Sequence, residues 1–185
     1  MHVAPPLRKS YTYVQQLTGS PDEIFALLCP VRECDWIAGW NPRLVISACG
    51  VAEPGCIFVT ADGQAPSGEL REATWVVTEH DPKAHYVAMT KVSPNFLVTR
   101  LWITVSPGDS PKESQADVRY EYTAVGRDGE AFVRTHTPAM WTEFMQKWER
   151  ALNEYLRRAT EASAATVSQR ASRRFERCRG IAPRD

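Results

Sequence analysis

Glu33, Trp36 and Trp40 are spaced so that a helix would set all three on one face, with Asp35 turned aside. A carboxyl group held beside indole rings loses hydration, its pKa rises, and it can act as a general acid or base near neutral pH. The plainer reading has both tryptophans packing a short helical pair onto a sheet, and the acids paired with Arg32 or Arg43. His136 is the second candidate. It lies on the apolar side of a helical pattern, two residues before Pro138, where an interrupted helix leaves backbone carbonyls beside a titratable ring. A lone histidine there also serves as a hydrogen-bonded core or rim residue. Tyr120 and Tyr122 share one face of a strand pattern and can either donate phenol hydrogens to a ligand keto group or simply pack.

Other chemistries find no footing. His80 and His85 straddle the Asp81-Pro82 turn and His2 is terminal, so the histidines make no converging metal set. No Gly-rich phosphate loop, nucleophile elbow or HExxH helix occurs. Neither a metal nor a cofactor is expected, and the lack of a strong catalytic motif favours binding over covalent chemistry. The spacings of Cys29, Cys34, Cys49, Cys56 and Cys178 fit no zinc or redox pattern, and they read as small reduced core residues.

The elements that must position these groups can be read from period and punctuation. Tyr11–Thr18 reads as a first strand. Ser20, Pro21 and Glu23 form a capping box, opening a helix whose apolar face is Ile24, Phe25, Leu27 and Leu28 and which Pro30 stops. A second helical piece is expected over Arg32–Trp36. Six strands then follow: Leu44–Ala48, Cys56–Thr60, Leu70–Glu79, Ala84–Lys91, Leu97–Ser106 and Ala116–Val125, with a polar loop through Gly68. Short spacing without intervening helices predicts an antiparallel meander. Val118, Tyr120, Tyr122 and Ala124 alternate with Asp117, Arg119, Glu121 and Thr123, so one face is wet and one covered. Leu101 and Ile103 continue the covered face. From Asp128 to about Arg158 a long helical stripe carries Phe132, His136, Met140, Phe144, Trp148, Leu152, Tyr155 and Leu156, with a kink or break due at Pro138. That helix must cover the sheet. The fold class is α+β, with residues 1–9 as an arm, 10–158 as the domain and 159–185 as an Arg-rich tail, either disordered or a loosely docked helix.

The whole chain of 185 residues has a formal net charge of zero, but from Arg157 onward eight arginines face only Glu161, Glu176 and Asp185. A nucleic-acid binder would show a basic excess, so none is expected. No run reaches the roughly 20 apolar residues of a membrane span, and the N-terminus lacks an apolar signal, so integral membrane association is not expected and a cytoplasmic location is. The tail with Arg170, Arg173, Arg174, Phe175 and Arg177 reads as a solvated terminus or as a contact for an anionic partner.

The run SPDEIFALLCPVRECDWIAGWNP at 20–42 resembles a subgroup of the SRPBCC superfamily, as do GVAEPGCIFVT at 50–60, Thr74-Trp75 and the Trp148–Leu156 segment. That superfamily includes START lipid-transfer domains, the birch pollen allergen family and polyketide cyclase/dehydrase-like proteins, and the likeness spans residues 10–158. It implies a helix-grip fold, a curved sheet of about seven strands around a long C-terminal helix, with an apolar cavity between them. Trp36, Trp40, Phe58, Leu101, Ile103, Tyr120, Tyr122, Phe132, His136, Met140 and Phe144 form the expected ligand-facing set, with His136, Glu33 and Tyr120 as candidates for proton transfer. Three functions fit. One is a carrier or sensor of a small hydrophobic or aromatic molecule, monomeric or homodimeric; another is a cyclase- or aromatase-like enzyme; the third is a module recruited through its basic tail.

Overall fold

Ser20 behaves as its sequence context demands. Its hydroxyl accepts from the Glu23 amide while the Glu23 carboxylate accepts from the Ser20 amide, and α1 (Pro21–Leu27) starts there. The structure is a computed structural model that describes residues 3–64 and 70–179, with the backbone alone described at 64 and 163–179. The remaining elements are β1 (Arg8–Thr18), a 3₁₀ turn at Glu33–Asp35, β2 (Leu44–Ile46), β3 (Ile57–Gln64), β4 (Leu70–Asp81), β5 (Tyr86–Ser93), β6 (Leu97–Pro107), β7 (Glu113–Ala124), α2 (Arg127–Thr135) and α3 (Pro138–Arg179). The strand β1 begins three residues earlier than expected, because Arg8 and Lys9 pair with Thr123 and Tyr122. The loop through Gly68 lies outside the described residues.

The seven strands form one antiparallel sheet in the order β1-β7-β6-β5-β4-β3-β2. Its register puts Tyr11, Tyr120, Leu101 and Met89 in one row across the covered face. Tyr13, Val118 and Ile103 fall in the next such row. Bulges interrupt β3 against β4 and β4 against β5, raising local twist and curvature where the sheet turns away from the long helix.

Pro138 does more than kink the helix. His136 is extended, and two helices result in place of one. Thr137 caps the second, its hydroxyl accepting from the Met140 amide at 3.3 Å, with Pro138 in the first helical position. The carbonyls stranded at the end of α2 are taken up by β1. Lys9 Nζ donates to the Arg134 and His136 carbonyls at 3.1 and 3.0 Å, and Tyr11 donates to the His136 carbonyl at 2.7 Å.

Because α3 begins on a new helical phase, its inward face is Trp141, Met145, Trp148 and Leu152. The stripe expected by extending one helix through Pro138 fails at two positions: Met140 is 51% exposed and Phe144 37%. The helix also covers the C-terminal end of the free edge of β1. Asn153 acts as a substitute strand there, its Oδ1 accepting from the Thr18 amide at 2.8 Å while its Nδ2 donates to the Gln16 carbonyl at 2.8 Å. Gln15 Nε2 donates to the Met145 carbonyl at 3.4 Å. At the opposite edge, β2 pairs only with β3 among the described residues, and Leu44, Val45 and Ile46 are exposed.

The helix α3 runs on to Arg179, well past the Arg158 expected from its apolar stripe; the arginine and phenylalanine side chains of the tail lie outside the described set. Cys29 and Cys56 are buried as expected, whereas Cys34 and Cys49 are exposed on the segments after α1 and β2. None of the described helices is long and apolar enough to cross a membrane.

Gly129 fixes how closely α2 lies on the sheet, since a Cβ there would come 1.8 Å from the Phe96 carbonyl oxygen. That oxygen already accepts from the Val125 amide at 2.8 Å, so it has little freedom to retreat. Gly129→Ala is therefore expected to lower stability by about 1–3 kcal/mol in urea denaturation, the typical range of overpacking.

Candidate functional site

Between the sheet's covered face and the α2–α3 corner the rings form a continuous shell. His136 stacks on Phe132 at 4.7 Å between centroids and meets Tyr11 and Tyr122 edge-on at 5.4 and 5.5 Å. Trp141 lies 4.9 Å from Tyr120 and stacks on Tyr11 at 6.0 Å. Phe144 bridges Trp141 to Trp148 along the outside of α3, and Trp148 meets Trp36 edge-on at 5.7 Å. Leu101 and Ile103 are buried on the sheet beneath, together with Val118 and Met89.

Several polar groups in this shell lack any hydrogen-bond partner among the described residues. They include the Trp141 indole N–H and both ring nitrogens of His136, all buried. Tyr120 and Tyr122 are buried, and of the described tyrosines in the shell it is Tyr11 that donates a hydrogen bond, to the His136 carbonyl. Glu33 is 5% exposed and forms no ion pair, whereas its neighbour Asp35 pairs with Arg32 at 2.8 Å and Arg43 pairs with Glu72. The expectation that the acids bind Arg32 or Arg43 thus holds for Asp35 and not for Glu33.

Burial sets the charge state of the site. It pushes the Glu33 carboxyl up to about 8. Tyr120 is pushed well up by burial first and by the nearby Tyr122 and Glu33 charges after that. Burial raises Tyr122 as well, and it lowers His136, with the Lys9 ammonium acting in the same direction. Near neutral pH every one of these groups is uncharged.

Trp36 and Trp40 take the packing part that the plainer reading gives them. Their indole N–H groups donate to the Leu27 and Pro30 carbonyls at 2.9 and 2.8 Å, satisfying oxygens left free where α1 ends. Trp40 packs on Phe58 and Trp75, which stack at 5.3 Å in a second aromatic cluster. Trp40 and Phe58 make their ring contacts in this second cluster, within the same hydrophobic core as Tyr120 and Tyr122. Tyr11 and Trp141 were missed in the sequence. Tyr11 shows in the alternation of β1, and Trp141 would have shown had the helical phase been counted from Pro138.

Two clefts outside this interface are less suited to chemistry. An open groove of about 1350 Å³ beside α3 is lined by Glu154, Arg157 and Glu161, whose charges are already paired with one another. A pocket of about 330 Å³ against α1 holds Phe25, Cys29, His80 and His85, and His85 Nε2 is engaged by Asp22 at 2.7 Å. Among the described residues no three His, Cys, Asp or Glu side chains are grouped to hold a metal ion.

No protein-family model matches the chain, and no curated protein matches it. Solved structures do. A norcoclaurine synthase point mutant from Thalictrum flavum, in complex with a transition-state analogue, superposes with a TM-score of 0.59 at 13% identity, covering 85% of this chain and 99% of that one. Major latex-like protein 151 from Panax ginseng gives 0.57 at 12%, with 80% and 97% covered. XoxI from Bacillus cereus gives 0.53 at 15%, with 78% and 93% covered. With its seven-stranded curved sheet and long C-terminal helix, the chain has the helix-grip fold of the birch pollen allergen type.

Glu33 has a measurable thermodynamic signature. Its proton is held more tightly in the folded chain than in the unfolded one, so folding binds protons between the ordinary value of 4.5 and about 8. The sign follows: this contribution is fully present below about 4.5 and is lost as pH rises through about 8. Glu33→Gln is expected to melt above the parent at alkaline pH, with the difference closing toward acid, as scanning calorimetry across that range would show.

Proposed function

We propose that this chain binds a small hydrophobic or aromatic molecule between the covered face of the sheet and the α2–α3 corner. One observation carries the reading: the indole N–H of Trp141 and both nitrogens of His136 are buried inside an aromatic shell without protein partners. Leaving such a group unpaired costs about 1–3 kcal/mol, which a bound molecule would offset. The shell has the composition expected of a ligand site, mostly ring and aliphatic surface with few convergent polar groups. The helix-grip neighbours support the class of function, since one of them is recorded with a transition-state analogue bound. Exchange through this site would be gated by the corner at His136–Pro138, where helical hydrogen bonding is interrupted.

A second reading is an enzyme that moves protons, and Glu33 favours it. A carboxyl raised to about 8 and coupled in charge to Tyr120 is poised to exchange a proton near neutral pH. A cyclase- or aromatase-like reaction would use the same pocket to fold its substrate.

Native mass spectrometry of the purified chain, followed by denaturing extraction, tests the first reading. A co-purifying apolar or aromatic molecule near unit stoichiometry is the expected result. An apo mass together with no uptake of added aromatic probes would overturn it. Given a ligand, Tyr120→Phe and His136→Gln separate the two readings. A carrier keeps binding within about tenfold, while an enzyme loses about 100-fold or more in turnover.

A further inference from the structure

His80 and His85, which make no metal set, come together against α1 in the pocket of about 330 Å³. That volume falls within the range of small-molecule sites, about 300–1,000 Å³. Phe25 is buried there, with the His80 ring at 5.2 Å and the His85 ring at 5.7 Å between centroids. Three separate segments meet around it: α1, the loop at Val51 and Ala52, and the β4–β5 turn. None of the rings of the α2–α3 shell lines it. His85 holds its place at a conformational cost. Its φ of 49° is uncommon outside glycine, and such backbone persists only where its neighbours hold it. Here the Val105 amide donates to the His85 carbonyl at 3.0 Å, and His85 Nε2 donates to Asp22 Oδ1 at 2.7 Å. Asp81 braces the same turn by accepting from the Lys83 and Ala84 amides. This wall of the pocket is thus fixed before anything enters.

The other titratable groups lining the pocket are committed. Arg32 is paired with Asp35 and donates to Tyr155, Asp22 holds His85, and the Cys29 sulfur accepts from the Ala52 amide at 3.2 Å. The half-buried His80 ring packs on Phe25 without a hydrogen-bond partner among the described residues. Burial lowers its pKa, against the opposing charge of Asp81, so the ring is neutral at pH 7. A neutral imidazole carries one N–H donor and one acceptor nitrogen, and a hydroxyl, which donates and accepts, pairs with either. A carboxylate would find its cation already engaged, and a bare hydrocarbon would leave the imidazole unpaired. We propose that this pocket is a second binding site, one that takes a small uncharged ring bearing a hydroxyl, packed on Phe25 and hydrogen-bonded to His80.

Magnetic resonance titration of the isotope-labelled full chain tests this, read at the histidine ring and tryptophan indole signals. The probes are para-cresol, toluene and the anion para-toluate, near neutral pH. Cresol is expected to shift the His80 and His85 signals saturably and to bind about three- to tenfold tighter than toluene, the worth of one neutral hydrogen bond. Toluate should bind weakest. His80→Phe, read at His85, should bring cresol down to the affinity of toluene and leave toluene unchanged. Ala26 is an exposed lining residue, and Ala26→Trp should fill the pocket and remove the histidine shifts. The Trp141 indole signal reports the α2–α3 shell separately, so failure of one site is distinguishable from failure of the other. Histidine signals that stay still, that shift without saturating, or that still shift in Ala26→Trp would overturn the proposal. So would toluene or toluate matching cresol, or a cresol advantage that survives His80→Phe.

Discussion

Everything about the interior depends on how β1 answers the break in the C-terminal helix. Pro138 withholds a backbone donor, and the carbonyls at the end of α2 are left without intrahelical partners. Lys9 and Tyr11, two residues apart on one face of β1, supply the missing donors. Without them the corner would expose buried oxygens; with them α3 can start afresh and swing its own apolar face toward the sheet. Near its C-terminal end the same strand is then tied to α3 by Gln15 and Asn153. One strand thus ends one helix, seats the next, and positions His136 between Tyr11, Tyr122 and Phe132.

The interior that results is aromatic and neutral. Neutrality follows from desolvation and needs no special partner: a carboxyl, an imidazole and two phenols all adopt their uncharged forms in low dielectric. Such a site selects by shape and by the direction of its hydrogen bonds, because it holds no net charge to attract an ion. Charges are kept outside it. On the far face of the sheet Arg8 and Arg100 approach Glu121, and Trp102 lies between the guanidinium groups of Arg100 and Arg119.

Much of this was legible in the chain itself. The capping box at Ser20, the alternation of β7 and the run of short strands between turns report local rules, and local rules decided those elements. The covered row of Leu101, Ile103, Tyr120 and Tyr122 was readable for the same reason: a strand's period is two and no bulge intervenes in β6 or β7. Met140 and Phe144 were misplaced because helical phase is a running count, and a break resets it. Trp141 was lost by the same error. The packing of Trp36 and Trp40 was readable, but the partners of their indole donors were not: these are the Leu27 carbonyl at the end of α1 and the Pro30 carbonyl beyond it, pairings that spacing does not encode. Glu33 and Asp35 part as their spacing implied, Glu33 buried and Asp35 exposed and paired with Arg32.

The cover that α3 places over the end of β1 also bears on how copies can join. A sheet with two free edges can extend from both ends without limit, molecule after molecule, which is the geometry of a fibre. Here Asn153 covers the last residues of one edge, and among the described residues the freer edge is β2, with its exposed Leu44 and Ile46. Edge-to-edge joining through β2 would use up that freer end of each participant. At the other edge Asn153 of the long helix occupies the backbone groups that a further strand would need at Gln16 and Thr18.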